Sequence, residues 1–329
     1  MTQRVEFLQY VAPMKPLTYD VHTHVGLDAG FFLRGWWPYA CMTQELLAHL
    51  DAHGIDRAVC FPFVLPSAFD TEAYANRGQV ALLPGRVPFD RENGLLVQEV
   101  KRIDSDRRLL PMAMFDPGRE VDSQLRNLRS LVEDIAGLKV QTTTIESPIR
   151  ALLTTGRELM ALAEQLDLPV LMHTAVLPGD CWSQVADCLA VAAAYPKVRF
   201  DLAHSLRFHA GFLRQAATMP NVWVDCAAHL AHCELARADS PVVAPHADRV
   251  DADYSKPAAV LEAIHALLPG RYSWGSDNPF MSWCDDDIRI LYSYEQEAAV
   301  LADLPAAVRL SMTSIGPESW LFGRKDRKP

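Results

Sequence analysis

The feature that most constrains this chain is an alternation: eight short β-rich runs, most of them separated by patterns of helical period. The runs are Leu17–His24, Arg57–Phe63, Leu109–Phe115, Gly137–Gln141, Pro169–Thr174, Val198–His204, Asn221–Cys226 and Tyr272–Asp277. Between the first two, Glu45–Leu50 reads as a helix stopped by Gly54, since glycine takes a left-handed C-cap without a Cβ penalty. Before the fourth run, Val121, Leu125, Leu128, Val132 and Ile135 recur at steps of four and three, one apolar face of an amphipathic helix. Val185, Leu189 and Ala192, and then Val260, Ile264 and Leu267, mark further helices. This pattern predicts a (β/α)8 TIM barrel forming a single domain over residues 1–329. The rival, an open doubly wound sheet, lacks its usual marks: no Gly-x-Gly-x-x-Gly turn follows the first run, and no Gly-x-x-x-x-Gly-Lys loop occurs. Three connections are longer than a barrel needs: Gly26–Thr43, Phe69–Arg91 and His229–Tyr254. All three leave C-terminal strand ends, where barrel active sites are built.

Composition narrows the partners. The 329 residues include 31 Lys+Arg against 41 Asp+Glu, a formal charge of −10 that argues against nucleic acid or an anionic membrane surface and for a small-molecule substrate. No window of 18 apolar residues occurs, and the start Met1-Thr2-Gln3-Arg4 lacks a signal peptide's apolar core. The seven cysteines form no Cys-x-x-Cys pair and read as reduced residues of a cytoplasmic protein.

The polar residues on those strands carry the chemistry. His22 and His24 are two apart on the first strand, so both point to one side. His173, His204 and Asp277 end the fifth, sixth and eighth strands, and Lys139 lies within the fourth. A barrel gathers strand ends around one mouth, where four imidazoles and a carboxylate would cage a divalent metal, most naturally zinc. Asp225 on the seventh strand is either a partner that orients a ligand histidine or a buried structural carboxylate. His49, His53 and His265 fall on helices and are given no role. His209 in the sixth connection, and His229 and His232 in the loop after strand seven, are placed to line the mouth. The first loop, Phe31–Tyr39, is so aromatic that it must cover something, either the mouth or a subunit contact in a homodimer. Arg34 there could fork a substrate carboxylate, and Trp36, Trp37 and Asn278 are further substrate-binding candidates. Phe280 and Trp283 are expected to line the pocket, and Asp285–Asp287 to cap a following helix.

The constellation resembles the amidohydrolase superfamily, and within it the amidohydrolase-related group. Asp20-Val21-His22-Thr23-His24 is similar to that group's opening D-x-H-x-H. Pro169–Thr174 and Phe200–His204 resemble its strand-five and strand-six histidine segments, and Trp274–Pro279 resembles its G-[ST]-D-x-P. The chain departs from the pattern near its end, where Glu318-Ser319-Trp320 stands in place of the usual Asn before Leu-Phe-Gly. The resemblance implies that His22, His24, His173 and Asp277 bind one metal ion. Asp277 would take a proton from the metal-bound water, and His204 would polarise a carbonyl or bind a second metal. Lys139 would be either a carboxylated bridge between two metals or a lysine paired with an acid inside the barrel. The implied activity is hydrolysis of an ester, lactone or amide. The alternatives are a metal-dependent non-oxidative decarboxylase of a small aromatic or unsaturated carboxylic acid, or a non-catalytic barrel that only binds.

Overall fold

The structure, a computed structural model, describes residues 16–323; the Met1–Arg4 start discussed above lies outside them. Its core is an eight-stranded parallel sheet in sequence order: β1 Tyr19–His24, β2 Arg57–Phe61, β3 Leu109–Met114, β4 Gly137–Val140, β5 Val170–Met172, β6 Phe200–Leu202, β7 Val222–Asp225 and β8 Tyr272–Ser273. The segment after β8 closes the barrel against β1. His24 N donates to Asn278 O at 2.6 Å, and Asp277 N to His22 O at 2.8 Å. Helices follow the strands, among them Thr43–His53, Val121–Leu131, Arg157–Gln165, Val185–Ala194, Ala210–Thr218 and Pro257–Leu267.

Both faces of each strand are buried, as a parallel barrel requires. Val59 and Phe61 of β2 pack with Met112, Met114 and Leu171 on the barrel side. Their neighbours Ala58 and Cys60 pack with Leu138 and Val140 under the helices. Lys139 lies between Leu138 and Val140, so the two-residue period sends it inward, and it is fully buried. Gly275 permits the closing contact: a Cβ there would stand 2.7 Å from the His22 Cβ. Among the described residues, no helix is long and apolar enough to cross a membrane.

All eight predicted strands exist, several shorter than their apolar runs. The Val198–His204 run pairs only over Phe200–Leu202, because the chain turns left-handed at His204 (φ 62°). The Tyr272–Asp277 run pairs over Tyr272–Ser273, after which the chain crosses to β1 and Asp277 takes φ 63°. The helix expected to carry Val132 and Ile135 ends at Leu131, because the chain must turn before β4 begins at Gly137. His229–Tyr254 is not all loop: His229–Arg237 is a helix that buries His229, Ala231, His232, Cys233 and Ala236. Asp285–Asp287 cap no helix. They form the tip of a hairpin, Ser282–Cys284 with Arg289–Leu291, where Asp285 Oδ1 accepts from the backbone N of Asp287 and Ile288.

Candidate metal centre

At the C-terminal mouth of the barrel, β1 carries His22 and His24, and the closing segment brings Asp277 to them. Asp277 Oδ1 lies 3.3 Å from His22 Nε2 and 3.5 Å from His24 Nε2. The orientation of both rings is fixed from behind. His22 Nδ1–H donates to Asp225 Oδ2 at 2.8 Å, and His24 Nδ1–H to the Pro62 carbonyl at 3.0 Å. Each ring therefore turns its Nε2 lone pair toward Asp277. Burial pushes His24 down to about 4, which keeps that lone pair free of a proton at neutral pH. Asp225, the candidate orienting carboxylate, touches His22 and also accepts from His204 N at 3.0 Å and Ala227 N at 2.9 Å. Burial raises its pKa, but the His22 ring and these donors outweigh burial and hold it below the usual carboxylate range.

The donor atoms of His22, His24 and Asp277 all lie within 4.8 Å of one another. Two ligands about 2.1 Å from a tetrahedral zinc stand roughly 3.4 Å apart, so the two His–Asp separations match those of ligands sharing one ion. The donor set also has the orienting partners that metal-bound histidines need. The residues fit a divalent metal.

Asp20, the first residue of the D-x-H-x-H pattern, ties this corner together. Its Oδ1 accepts from His22 N and Ser276 N at 3.1 and 3.0 Å, and its Oδ2 from the Tyr294 hydroxyl at 3.0 Å. Lys139 reaches in from β4, with Nζ 3.2 Å from His22 Nε2 and 4.6 Å from the centre of the Phe61 ring. Its direct partner is thus an imidazole rather than an acid. Burial pushes its pKa down to about 8, against the pull of Asp225, Asp277 and Asp201.

His173 and His204 face the same space, one step removed from the trio. His204 Nδ1–H donates to Ala227 O at 3.1 Å, and its Nε2 accepts from His173 Nδ1–H at 3.0 Å. His204 Nδ1 also lies 3.8 Å from Asp277 Oδ2. His173 Nε2 accepts from Arg207 at 3.3 Å. Burial, reinforced by Arg207, holds both imidazoles well below their ordinary range, so both are neutral.

His204 and Arg207 share an unusual backbone. His204, Ser205, Leu206, Arg207 and Phe208 have φ of 62, 52, 48, 55 and 66°, a left-handed turn without glycine. L-residues resist this conformation by roughly 1–2 kcal/mol each, so the turn stores on the order of 5–10 kcal/mol. Tertiary contacts hold it: His204 N on Asp225, Ser205 Oγ with the Tyr272 hydroxyl at 2.7 Å, and the Arg207 and Phe208 carbonyls accepting from Ala244 N and Val250 N at 2.9 and 3.0 Å.

These residues line one cavity of about 320 Å³, with room for a small molecule. His22, His24, Lys139, His173, His204, Arg207, His232 and Asp277 are among its polar residues, with Asp285, Gln141, Thr143 and Thr144, and Phe31, Phe280, Trp283, Ile288 and Ile290 are on its apolar side. Phe280 and Trp283 thus stand where the sequence puts them. Several candidates do not reach the cavity. Arg34 lies over the rings of Trp36 and Tyr74, 3.8 and 5.1 Å from their centres, because stacking satisfies its cation away from the mouth. Trp36 packs behind the wall on Phe31 and Trp283, and Trp37 is 47% exposed, tied by its backbone to Cys284. His209 caps the helix Ala210–Thr218 by accepting from Phe212 N, and faces a different groove. Asn278 is buried in the barrel closure, with Nδ2 3.2 Å from Cys41 Sγ. His229 bonds the Pro257 carbonyl, but His232, one helical turn on, does line the cavity and accepts from Arg207. Arg207 was missed in the sequence. Its only signal is a position three residues beyond the strand-six histidine, and nothing local announces a left-handed turn.

A buried His/His/Asp cluster at the C-terminal mouth of a (β/α)8 barrel defines a metal-dependent barrel enzyme. The family model described as Amidohydrolase matches residues 19–312, and the chain belongs to that family. Among solved structures, it is similar to an amidohydrolase from Burkholderia multivorans with bound zinc (15% identity, 93% of this chain and 99% of that one, TM-score 0.60). It is likewise similar to 5-carboxyvanillate decarboxylase from Sphingomonas paucimobilis (13%, 94% and 99%, TM-score 0.60). A third is 2,6-dihydroxybenzoate decarboxylase from Rhizobium (14%, 93% and 99%, TM-score 0.59). No curated protein matches the sequence.

Proposed function

We propose that the chain is a metal-dependent hydrolase that cleaves an ester, lactone or amide of a small molecule, with Asp277 as the general base. One observation carries this reading: Asp277 has two faces. Its Oδ1 is on the His22/His24 side, while its Oδ2 turns toward His204 and the cavity. One oxygen can therefore serve the ligand set while the other accepts a proton and later delivers it to a leaving group. His22, His24 and Asp277 would hold one divalent ion, which we take to be zinc; His173, expected as a fourth ligand, has its two ring nitrogens engaged by His204 and Arg207. The ion, when bound, supplies a water of lowered pKa and polarises the scissile carbonyl. His204, with Nδ1–H on the Ala227 carbonyl and Nε2 on His173, is held beside the Oδ2 of Asp277. The apolar side of the cavity excludes bulk water from the substrate.

A second reading, a non-oxidative decarboxylase, is favoured by the aromatic wall of Phe31, Phe280 and Trp283 facing two cations, Lys139 and Arg207, which suits an aromatic carboxylate. Two decarboxylases share the fold. In that reaction Asp277 would deliver a proton to the carbon that loses CO2. Metal analysis of chain purified without chelator, followed by a screen of lactones and aromatic carboxylic acids in H2-18O with CO2 detection, tests both readings. Label in a carboxylate product supports hydrolysis, and CO2 release supports decarboxylation. Absence of metal even after reconstitution refutes both. Asp277→Asn should cost about 100-fold or more in turnover; unchanged turnover refutes its role as base. We also infer a cytoplasmic protein whose exposed Phe32, Leu33 and Trp37 meet in a homodimer, which sedimentation would show as twice the chain mass.

A further inference from the structure

We propose that Arg207 is the anion-binding residue of this cavity and that the substrate places a carboxylate on its guanidinium. The inference rests on the reading above that the cavity is where substrate binds. Arg207 is only 7% exposed, and a buried guanidinium is costly unless a countercharge or full hydrogen bonding meets it. Its bonds go to neutral acceptors: Nε to the Thr174 carbonyl at 2.8 Å, one terminal nitrogen to His173 Nε2 at 3.3 Å, and the other to His232 Nε2. None of these bonded partners is a carboxylate: Asp277, Asp180 and Asp225 attract the charge without a direct bond, and it borders the cavity.

Position supports the same assignment. From Arg207 the contacts run to His173, then to His204, then to Asp277 Oδ2. A carboxylate on Arg207 would set the rest of the molecule over the trio of His22, His24 and Asp277, with its apolar body against Phe280 and Trp283. The strained left-handed turn is what places both His204 and Arg207 there, and the run of positive φ is continuous from one to the other. Arg34, the other candidate for this task, is stacked away on Trp36. With Lys139 and Arg207 set against Asp277 and Asp285 in the same lining, the cavity matches a singly charged carboxylate better than a doubly charged phosphate.

The test is calorimetric titration of the purified, metal-replete chain with benzoate and with its neutral isostere benzamide. Benzoate should bind about 10- to 100-fold tighter. That preference should persist after chelation of the metal, shrink in Arg207→Lys, and disappear in Arg207→Met. Equal affinities for the two probes in the wild-type chain, or no binding of either, overturn the proposal without any variant. A preference that survives in Arg207→Met, or that chelation abolishes, overturns it as well, since the anion would then be read elsewhere or by the metal. Tighter binding of phenyl phosphate than of benzoate overturns the carboxylate assignment. Circular dichroism checks that Arg207→Met is folded; if it is not, the wild-type and Arg207→Lys titrations decide. A chain found to hold no metal refutes the proposed reaction while leaving this binding comparison intact.

Discussion

Replacing Asp225 with Asn changes one atom and should disable the metal centre from behind. The carboxylate accepts from His22 Nδ1 at 2.8 Å through one oxygen, and from the backbone N of His204 and Ala227 at 3.0 and 2.9 Å through the other. An amide has one accepting oxygen and one donating NH2, so in either orientation a donor faces a donor. Turned toward His22, the NH2 pushes that ring into its other tautomer and puts a proton on Nε2, the atom that faces Asp277. Turned the other way, it meets the two backbone N–H groups, one of which opens the left-handed turn. Losing such an orienting partner costs about 10- to 100-fold in metal affinity, or about 1.4–2.7 kcal/mol. A buried donor left unpaired costs a further 1–3 kcal/mol, roughly, in the stability of the metal-free chain. Zinc affinity is read by competition against a chelating dye, and stability by urea unfolding of the stripped protein. A folded Asp225→Asn variant with unchanged zinc affinity would refute the claim that Asp225 sets the His22 tautomer.

Three further outcomes follow from the same geometry. Gly275→Ala places a Cβ 2.7 Å from the His22 Cβ, with backbone 3.3 Å away, so β1 or the closing segment must shift. Zinc affinity should fall with a destabilisation of about 1–3 kcal/mol, and an unchanged affinity in the dye assay would count against that contact. Asp28, which caps the helix Ala29–Arg34, is raised to about 7 by burial despite its bonds to Phe31 N and Leu65 N. The folded state then holds more protons than the unfolded one between pH 4 and 7, so its contribution to stability is present at low pH and lost as pH rises through 7. Asp28→Asn should therefore gain on the wild type by about 2–3 kcal/mol between pH 5 and 8 in urea unfolding, and a gap that does not change with pH would refute this. Tyr272→Phe removes the hydroxyl that holds Ser205 at 2.7 Å and should cost about 1–2 kcal/mol in thermal or urea unfolding; no loss would show that other contacts suffice to hold the turn.

What the sequence determined by itself is the architecture and the metal-ligating alphabet. Strand-length apolar runs alternating with helical periods leave few ways to bury every face, and a parallel barrel is one that does. The two-residue spacing of His22 and His24 puts both on one side of β1 through backbone geometry alone, and Lys139 turns inward for the same reason. What only the tertiary structure decided depends on long-range closure. Asp277 reaches His22 because β8 ends early and Gly275 lets the chain press against β1. Whether Asp225 served a histidine or only packed was open until barrel closure brought β7 within two strands of β1, the bonded pair standing 203 positions apart in sequence. Arg34 and Arg207 show the limit most plainly. Both are arginines in connections after barrel strands, and sequence alone favoured the one among aromatics. Stacking on Trp36 and Tyr74 turned the first away from the mouth. The second was brought in by a left-handed turn that no local preference favours, held by Asp225, Tyr272, Ala244 and Val250 from three other parts of the chain. A conformation that local sequence disfavours can be paid for only by contacts the fold supplies, and local sequence carries no trace of them.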